Sequence, residues 1–222
     1  MNSLTSTFYP YLPRGLQQAL LVRMRSPLWI ERGIVFVHIP KAAGTSINQA
    51  LYGRFMGHPR ARDIERFGSR QLRRVPRFSV SRNPWDRLLS AYRFAAHGAV
   101  PGSPAAIWKP GRYQIPEFET FERFVMEWLA RRDVSRLDFV FQPQTRFVCD
   151  SNKHPLVNHV GRLEQLGPTF DFVEKVIGEP LRIPWENSSG ERVQYRDLYS
   201  TAMAKVVGDI YRDDVEAFGY SF

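Results

Sequence analysis

The 222-residue chain has one cysteine, Cys149, which excludes a disulfide scaffold and any cysteine-built zinc site. It has no apolar run of about 18 residues or more, so the sequence offers no candidate for a membrane-crossing helix. Residues 1–33 contain Pro10, Pro13, Pro27 and four arginines, without the apolar centre or small-residue cleavage site of a secretory leader. Repeats, low-complexity tracts and long linkers are also missing. These absences lead to the expectation of a soluble cytoplasmic protein without a membrane anchor. An N-terminal arm over 1–33 would be followed by a single domain over 34–222. Lysine is scarce too: only Lys41, Lys109, Lys153, Lys175 and Lys205 stand among the 31 basic residues.

What is present suffices for a packed core, since 43% of residues are hydrophobic and 14% aromatic. The formal net charge is +9. Eleven arginines lie between Arg54 and Arg93, against only Asp63, Glu65 and Asp86. Such a stretch attracts polyanions, whether nucleic acid, an anionic glycan or a multiply charged nucleotide, and charge alone does not choose among them.

Ile34–Ile39 is an unbroken β-branched and apolar run, the pattern of a strand buried on both faces of a parallel sheet. Helical spacing follows over Thr45–Phe55. Arg54–Pro76 reads as a basic, irregular stretch with a short helix, and Arg77–Ser81 as a second strand. Asn83-Pro84-Trp85-Asp86 has the chemistry of a helix start: Asn at the cap, Pro at the first helical position, Asp in the first turn. Further helices are expected over Phe118–Arg131, Phe170–Ile177 and Thr201–Phe218, with a third strand over Val157–Leu163. Strands alternating with helices indicate an α/β fold with a parallel sheet. Ligands bind beyond the carboxyl ends of such strands.

Two loops leave strands at that edge. Pro40-Lys41-Ala42-Ala43-Gly44-Thr45-Ser46 joins a buried strand to a helix through small residues, the geometry in which backbone N–H groups and a helix N-terminus face an anion. It is not a Walker A sequence, because Lys41 precedes the glycine. No Walker B carboxylate follows either: the second strand ends in Ser81-Arg82, and an arginine there favours a phosphate over Mg²⁺. Arg82 can grip phosphate bidentately, or pair with Asp86; Ser90 lies two turns into the next helix.

FVHIPKAAGTSI followed by FSVSRNPWDRLLSAYRF resembles the paired nucleotide motifs of the sulfotransferases that use 3′-phosphoadenylyl sulfate (PAPS), in particular the carbohydrate type that includes chondroitin and heparan sulfate enzymes and bacterial relatives. GHPRARD, QPQ, VGRLEQL and YRDDVEAFGYSF are similar to further blocks of that family, so the resemblance covers residues 34–222. It implies a P-loop-NTPase-like three-layer α/β/α fold and sulfuryl transfer from PAPS to an acceptor hydroxyl, with 3′,5′-ADP (PAP) as product and no metal. By matching position, Lys41 would stabilise the leaving group. Ala42, Ala43, Gly44, Thr45, Ser46 and Ile47 would cradle the 5′-phosphosulfate, and Arg82 and Ser90 would hold the 3′-phosphate. Ala42 stands where relatives often carry Thr, which removes a hydroxyl but no backbone donor.

The acceptor proton needs a base, for which histidine is suited. His58, in a Gly-His pair between the two motifs, is the first candidate, since it is similar to the segment carrying the base in heparan-type relatives. His97 is the second; Glu164 and Asp138 are acidic alternatives. His38, inside the apolar strand, reads as core. Gln142 and Gln144, with His97, are candidates for contacting the acceptor. Trp108, Tyr113 and Trp185 could stack on a sugar, and Asn187-Ser188-Ser189 beside Arg192 could cover the nucleotide. A carbohydrate acceptor follows only by analogy, so phenolic, lipid and peptide hydroxyls stay open. A nucleotide kinase and a nucleic-acid binder are the competing classes; no specific nucleic-acid partner is expected. An anionic glycan would be drawn by the arginines of residues 54–93.

Overall fold

A computed structural model describes residues 12–96, 110–183 and 194–222. In chain order the regular elements begin with α1 (Arg14–Arg32), β1 (Val35–Phe36), α2 (Gly44–Tyr52), α3 (Ala61–Phe67) and α4 (Arg70–Arg74). They continue with β2 (Arg77–Ser81), α5 (Pro84–Ala96), α6 (Phe121–Arg123), α7 (Thr145–Val148) and β3 (His159–Arg162). The chain closes with α8 (Gly167–Ile177), α9 (Thr201–Ile210) and α10 (Arg212–Phe218). The result is a mixed α/β fold with a three-stranded sheet in the order β1-β2-β3. It divides into two compact units: Met1–Ile39, Ala43–Val80 and Arg146–Trp185 form the first, and Pro40–Ala42, Ser81–Thr145 and Glu186–Phe222 the second.

In the first unit β1 and β2 pair in parallel, with Val35 opposite Arg77 and Phe36 opposite Phe78. Ile34, Val35, Phe36, Val37 and Ile39 are all buried, as a strand covered on both faces requires. The ladder is shorter than the apolar run. The N–H of Val37 still donates to Phe78 O, but the carbonyl of Val37 accepts from the Ser79 hydroxyl at 2.7 Å. The other edge of β1 is closed by a side chain. The Tyr52 hydroxyl accepts from the N–H of Phe36 at 2.9 Å and donates to Ile34 O at 3.0 Å, satisfying both groups as a strand would.

The arm contains a helix that the sequence gives little reason to expect, because Pro27 lies inside α1. Its inner face sets Val22 and Trp29 fully into the core. The basic stretch folds into α3 and α4 rather than one short helix. Arg77 is buried, pairs with Glu65 and donates to the carbonyls of Leu156 and Arg73, so this arginine is structural.

The second unit packs around aromatic side chains: Tyr92, Tyr113, Phe118, Phe124, Trp128 and Phe141 are all buried in one cluster. The helix expected over Phe118–Arg131 is broken there. A 3₁₀ turn (Pro116–Phe118) precedes α6, a π-helical segment (Phe124–Trp128) follows it, and a second 3₁₀ turn (Leu129–Arg131) ends it. No glycine or proline interrupts Phe118–Arg131, so packing of bulky rings, not local propensity, sets these breaks. The closing helix likewise divides at Tyr211, whose backbone leaves the helical region (φ −104°, ψ 28°). The division lets Tyr211 donate to Phe141 O at 2.7 Å and puts Asp214 fully inside.

Candidate functional site

In the second unit, β2 runs into Arg82 and then α5. The helix starts as its sequence dictates: Asn83 Oδ1 accepts from the N–H of Trp85 at 3.1 Å, and Pro84 takes the first helical position. Arg82 is held from both sides. Gln144 Oε1 accepts from its N–H at 3.0 Å, while Gln144 Nε2 donates to its carbonyl at 2.8 Å. Gln144 is itself fixed through its own N–H, which donates to Asp214 at 2.7 Å; Thr145 adds a backbone and a hydroxyl donor to the same carboxylate. Burial pushes the Asp214 carboxyl up, opposed by the nearby Arg87 cation and these donors.

The guanidinium of Arg82 donates from Nε to Asp86 at 2.8 Å and from Nη1 to Lys41 O at 3.2 Å. Arg87, 2% exposed, donates from Nε to Pro40 O at 2.8 Å and from Nη2 to Val140 O at 3.2 Å. Two arginines thus grip consecutive carbonyls at the mouth of the small-residue loop. The consequence falls on Lys41. Its ammonium sits 4.4 Å over the Phe94 ring, and burial, then the charges of Arg82 and Arg87, lower its pKa from 10.5 to about 8. Three cations converge here, with Asp86 beside Arg82 and Asp214 near Arg87, and the lysine is held toward neutrality.

In the first unit, the chain enters α2 through Ala43 in the left-handed conformation (φ 56°); two positions earlier, Lys41 of the second unit is left-handed too (φ 68°). Among the described residues only Lys153 shares this property outside glycine. Alternating handedness turns successive N–H groups toward one side, and the N-cap of α2 has no side-chain hydrogen bond. Thr45 is exposed and Ser46 half-buried at this helix start. Gly44 is required from below: a Cβ there would lie 1.9 Å from Cδ2 of His38. The buried His38 ring is oriented by Asn48 Nδ2, which donates to its Nδ1 at 3.2 Å and to Gly44 O at 2.8 Å.

His58 packs against His38 with its ring tilted by 42° and centroids 4.1 Å apart, and its Nδ1 lies 3.0 Å from His38 O. A carbonyl only accepts, so Nδ1 carries the hydrogen and the lone pair of neutral His58 is on Nε2, the tautomer a general base needs.

The other expected residues fall as follows. Ser90 is half-buried on α5. Gln142 and Gln144 are buried; Gln142 Nε2 donates to Leu137 O at 2.7 Å, and both ends of the Gln144 amide serve the backbone of Arg82. Asp138 accepts from the Tyr113 hydroxyl at 2.6 Å, and Tyr113 is buried in the aromatic core. Glu164 is exposed. His97, Trp108, Trp185 and 187–192 lie outside the described residues. Among the described residues, no group of three or more His, Cys, Asp or Glu side chains is placed to hold a metal ion. Sequence reasoning missed Arg87, Asp214 and Asn48. For Arg87 the signal was there: a charge among Trp85, Leu88 and Leu89 on the apolar side of a helix.

The model of the sulfotransferase family matches residues 30–221. No curated protein and no solved structure matches the chain. With nearly the whole length matched, the chain belongs to the sulfotransferase family.

Proposed function

We propose that this sulfotransferase takes its sulfuryl group from PAPS, releases PAP, and delivers the group to a hydroxyl on a carbohydrate acceptor. The observation that carries the donor side is Lys41, held at a pKa of about 8 by burial beside Arg82 and Arg87. A phosphate dianion bound here would favour the charged lysine against both its burial and the neighbouring arginines. The left-handed turns at Lys41 and Ala43 support a P-loop-like cradle, and with it a three-layer α/β/α architecture.

In this reading Ala42, Ala43, Gly44 and Ile47 offer backbone N–H groups to the 5′-phosphosulfate, and Thr45 and Ser46 add hydroxyls. Arg82 and Ser90 take the 3′-phosphate, with Gln144 and Asp86 fixing the guanidinium. The donor supplies a sulfuryl group on a phosphate that is stable as an anion, so neither a general acid nor a metal is required. Lys41 stabilises the negative charge on the departing oxygen. As the acceptor oxygen bonds to sulfur, the sulfur–oxygen bond to phosphate breaks and its electron pair leaves with the phosphate. His58 Nε2 accepts the acceptor's proton. His97 is the acceptor-side candidate, whereas Gln142 and Gln144 act through the backbone they hold.

Calorimetry without magnesium tests the donor assignment. PAP is expected to bind at least about tenfold more tightly than 5′-AMP, the worth of one charge-assisted phosphate contact, and Arg82→Ala should erase the difference. Equal affinities in the unmodified protein would refute it. A screen of sugar, phenolic, lipid and peptide hydroxyls with labelled donor then identifies the acceptor.

A further inference from the structure

Among the described residues five large apolar side chains are exposed, and three of them, Leu16 (54%), Leu20 (42%) and Met24 (47%), recur every fourth residue along α1. That spacing puts them on one helical face, opposite the buried Val22 and Trp29. Arg23 and Pro27 are exposed beside them. The helix packs directly against α3 and α4 in the same unit, and these two short helices expose Arg62, Arg66, Arg70, Arg73 and Arg74. Their acids are engaged: Glu65 pairs with the buried Arg77, and Asp63 caps the first turn of α3. No helix among the described residues is long and apolar enough to cross a membrane.

We propose that this face docks on an anionic lipid bilayer, with α1 lying in the headgroup plane, Leu16, Leu20 and Met24 entering the acyl boundary, and the α3–α4 arginines on lipid phosphates. An apolar stripe beside a strongly cationic surface is the composition of an interfacial helix. A soluble polyanion would be matched by the arginines alone and leaves the stripe in water. A second copy would bring two chains of net charge +9 together beside the exposed arginines of α3 and α4.

The test is sedimentation of the full chain with vesicles of phosphatidylcholine, with and without phosphatidylglycerol. Binding to the anionic vesicles is expected to exceed binding to the neutral ones by at least about tenfold and to be released by high salt. Leu16→Ser/Leu20→Ser/Met24→Ser and Arg62→Gln/Arg70→Gln/Arg74→Gln should each reduce it by about tenfold or more. All six side chains are exposed, so thermal melts and PAP affinity should match the parent. Three results would overturn the proposal: no binding to anionic vesicles at low salt; full binding by the apolar triple variant, which leaves only polyanion attraction; or a dimeric parent made monomeric by that variant, which assigns the stripe to a second copy. None of these outcomes bears on the donor site, since PAP binding is measured separately.

Discussion

If PAP binds at the proposed donor site, the lysine at the loop mouth should make that binding a proton-linked event. In the free protein Lys41 loses its proton near pH 8, because burial and the cations of Arg82 and Arg87 disfavour its charge. A bound phosphate dianion offsets both arginines and draws the lysine back toward its ordinary 10.5. Below about pH 8 the lysine is charged in both states and affinity is flat. Above it, each binding event must take up a proton, so the dissociation constant of PAP rises by up to about tenfold per pH unit. Between about pH 8 and about pH 10 the total loss approaches a hundredfold. The phosphates themselves do not contribute, since their second ionisation lies near about 6. Titration calorimetry in buffers of different ionisation enthalpy measures both the affinity and the proton count, which should approach one. In Lys41→Arg the guanidinium stays charged throughout, and the slope should vanish. A parent whose affinity is unchanged to about pH 10, or a Lys41→Arg variant with the same slope, would refute this account of the cluster.

Arg87→Met leaves the carbonyls of Pro40 and Val140 unpaired and is expected to cost about 2–5 kcal/mol, read from the urea midpoint. Gly44→Ala forces a methyl into the His38 ring; a loss of about 1–3 kcal/mol and of PAP affinity should follow, with His38→Ser restoring stability in the double variant. His58→Ala should lower kcat by about 10²–10⁴-fold while PAP affinity holds. Gln144→Ala frees the backbone of Arg82, so PAP binding should weaken although Gln144 touches no phosphate in this reading.

The strand at Arg77–Ser81 and the helix at Pro84–Ala96 were legible because local chemistry states them: Phe78 and Val80 alternate with polar residues before a polar turn, and Asn-Pro-x-Asp starts a helix. The two-residue β1 was not, since hydroxyls from distant positions serve the backbone around it: Ser79 donates to Val37 O, and Tyr52 bonds Ile34 O and the N–H of Phe36. The break at Tyr211 hides for the same reason. Apolar periodicity runs through it, and only the carbonyl of Phe141 and the donors of Gln144 and Thr145 explain the turn. Around the loops, residue type singled out Lys41 and Arg82, and both lie together beside Arg87. The apolar side of the helix signalled that Arg87 turns inward, but not which groups it holds, because its partners Pro40 and Val140 lie 47 and 53 positions away. Nor does the arginine-rich stretch act as one surface: Arg77 and Arg87 face inward, whereas Arg62, Arg66, Arg70, Arg73 and Arg74 face water.

The imidazole wedged beneath Gly44 gives the smallness of that turn a second origin. A phosphate in the proposed donor site would be one reason to exclude a side chain; the ring pressing from underneath is another, and it operates with no ligand present. Positions 38 and 44 therefore behave as a tongue and its groove. A relative carrying a slimmer residue at the first could accept alanine at the second, so the two letters are best compared together when such chains are sorted.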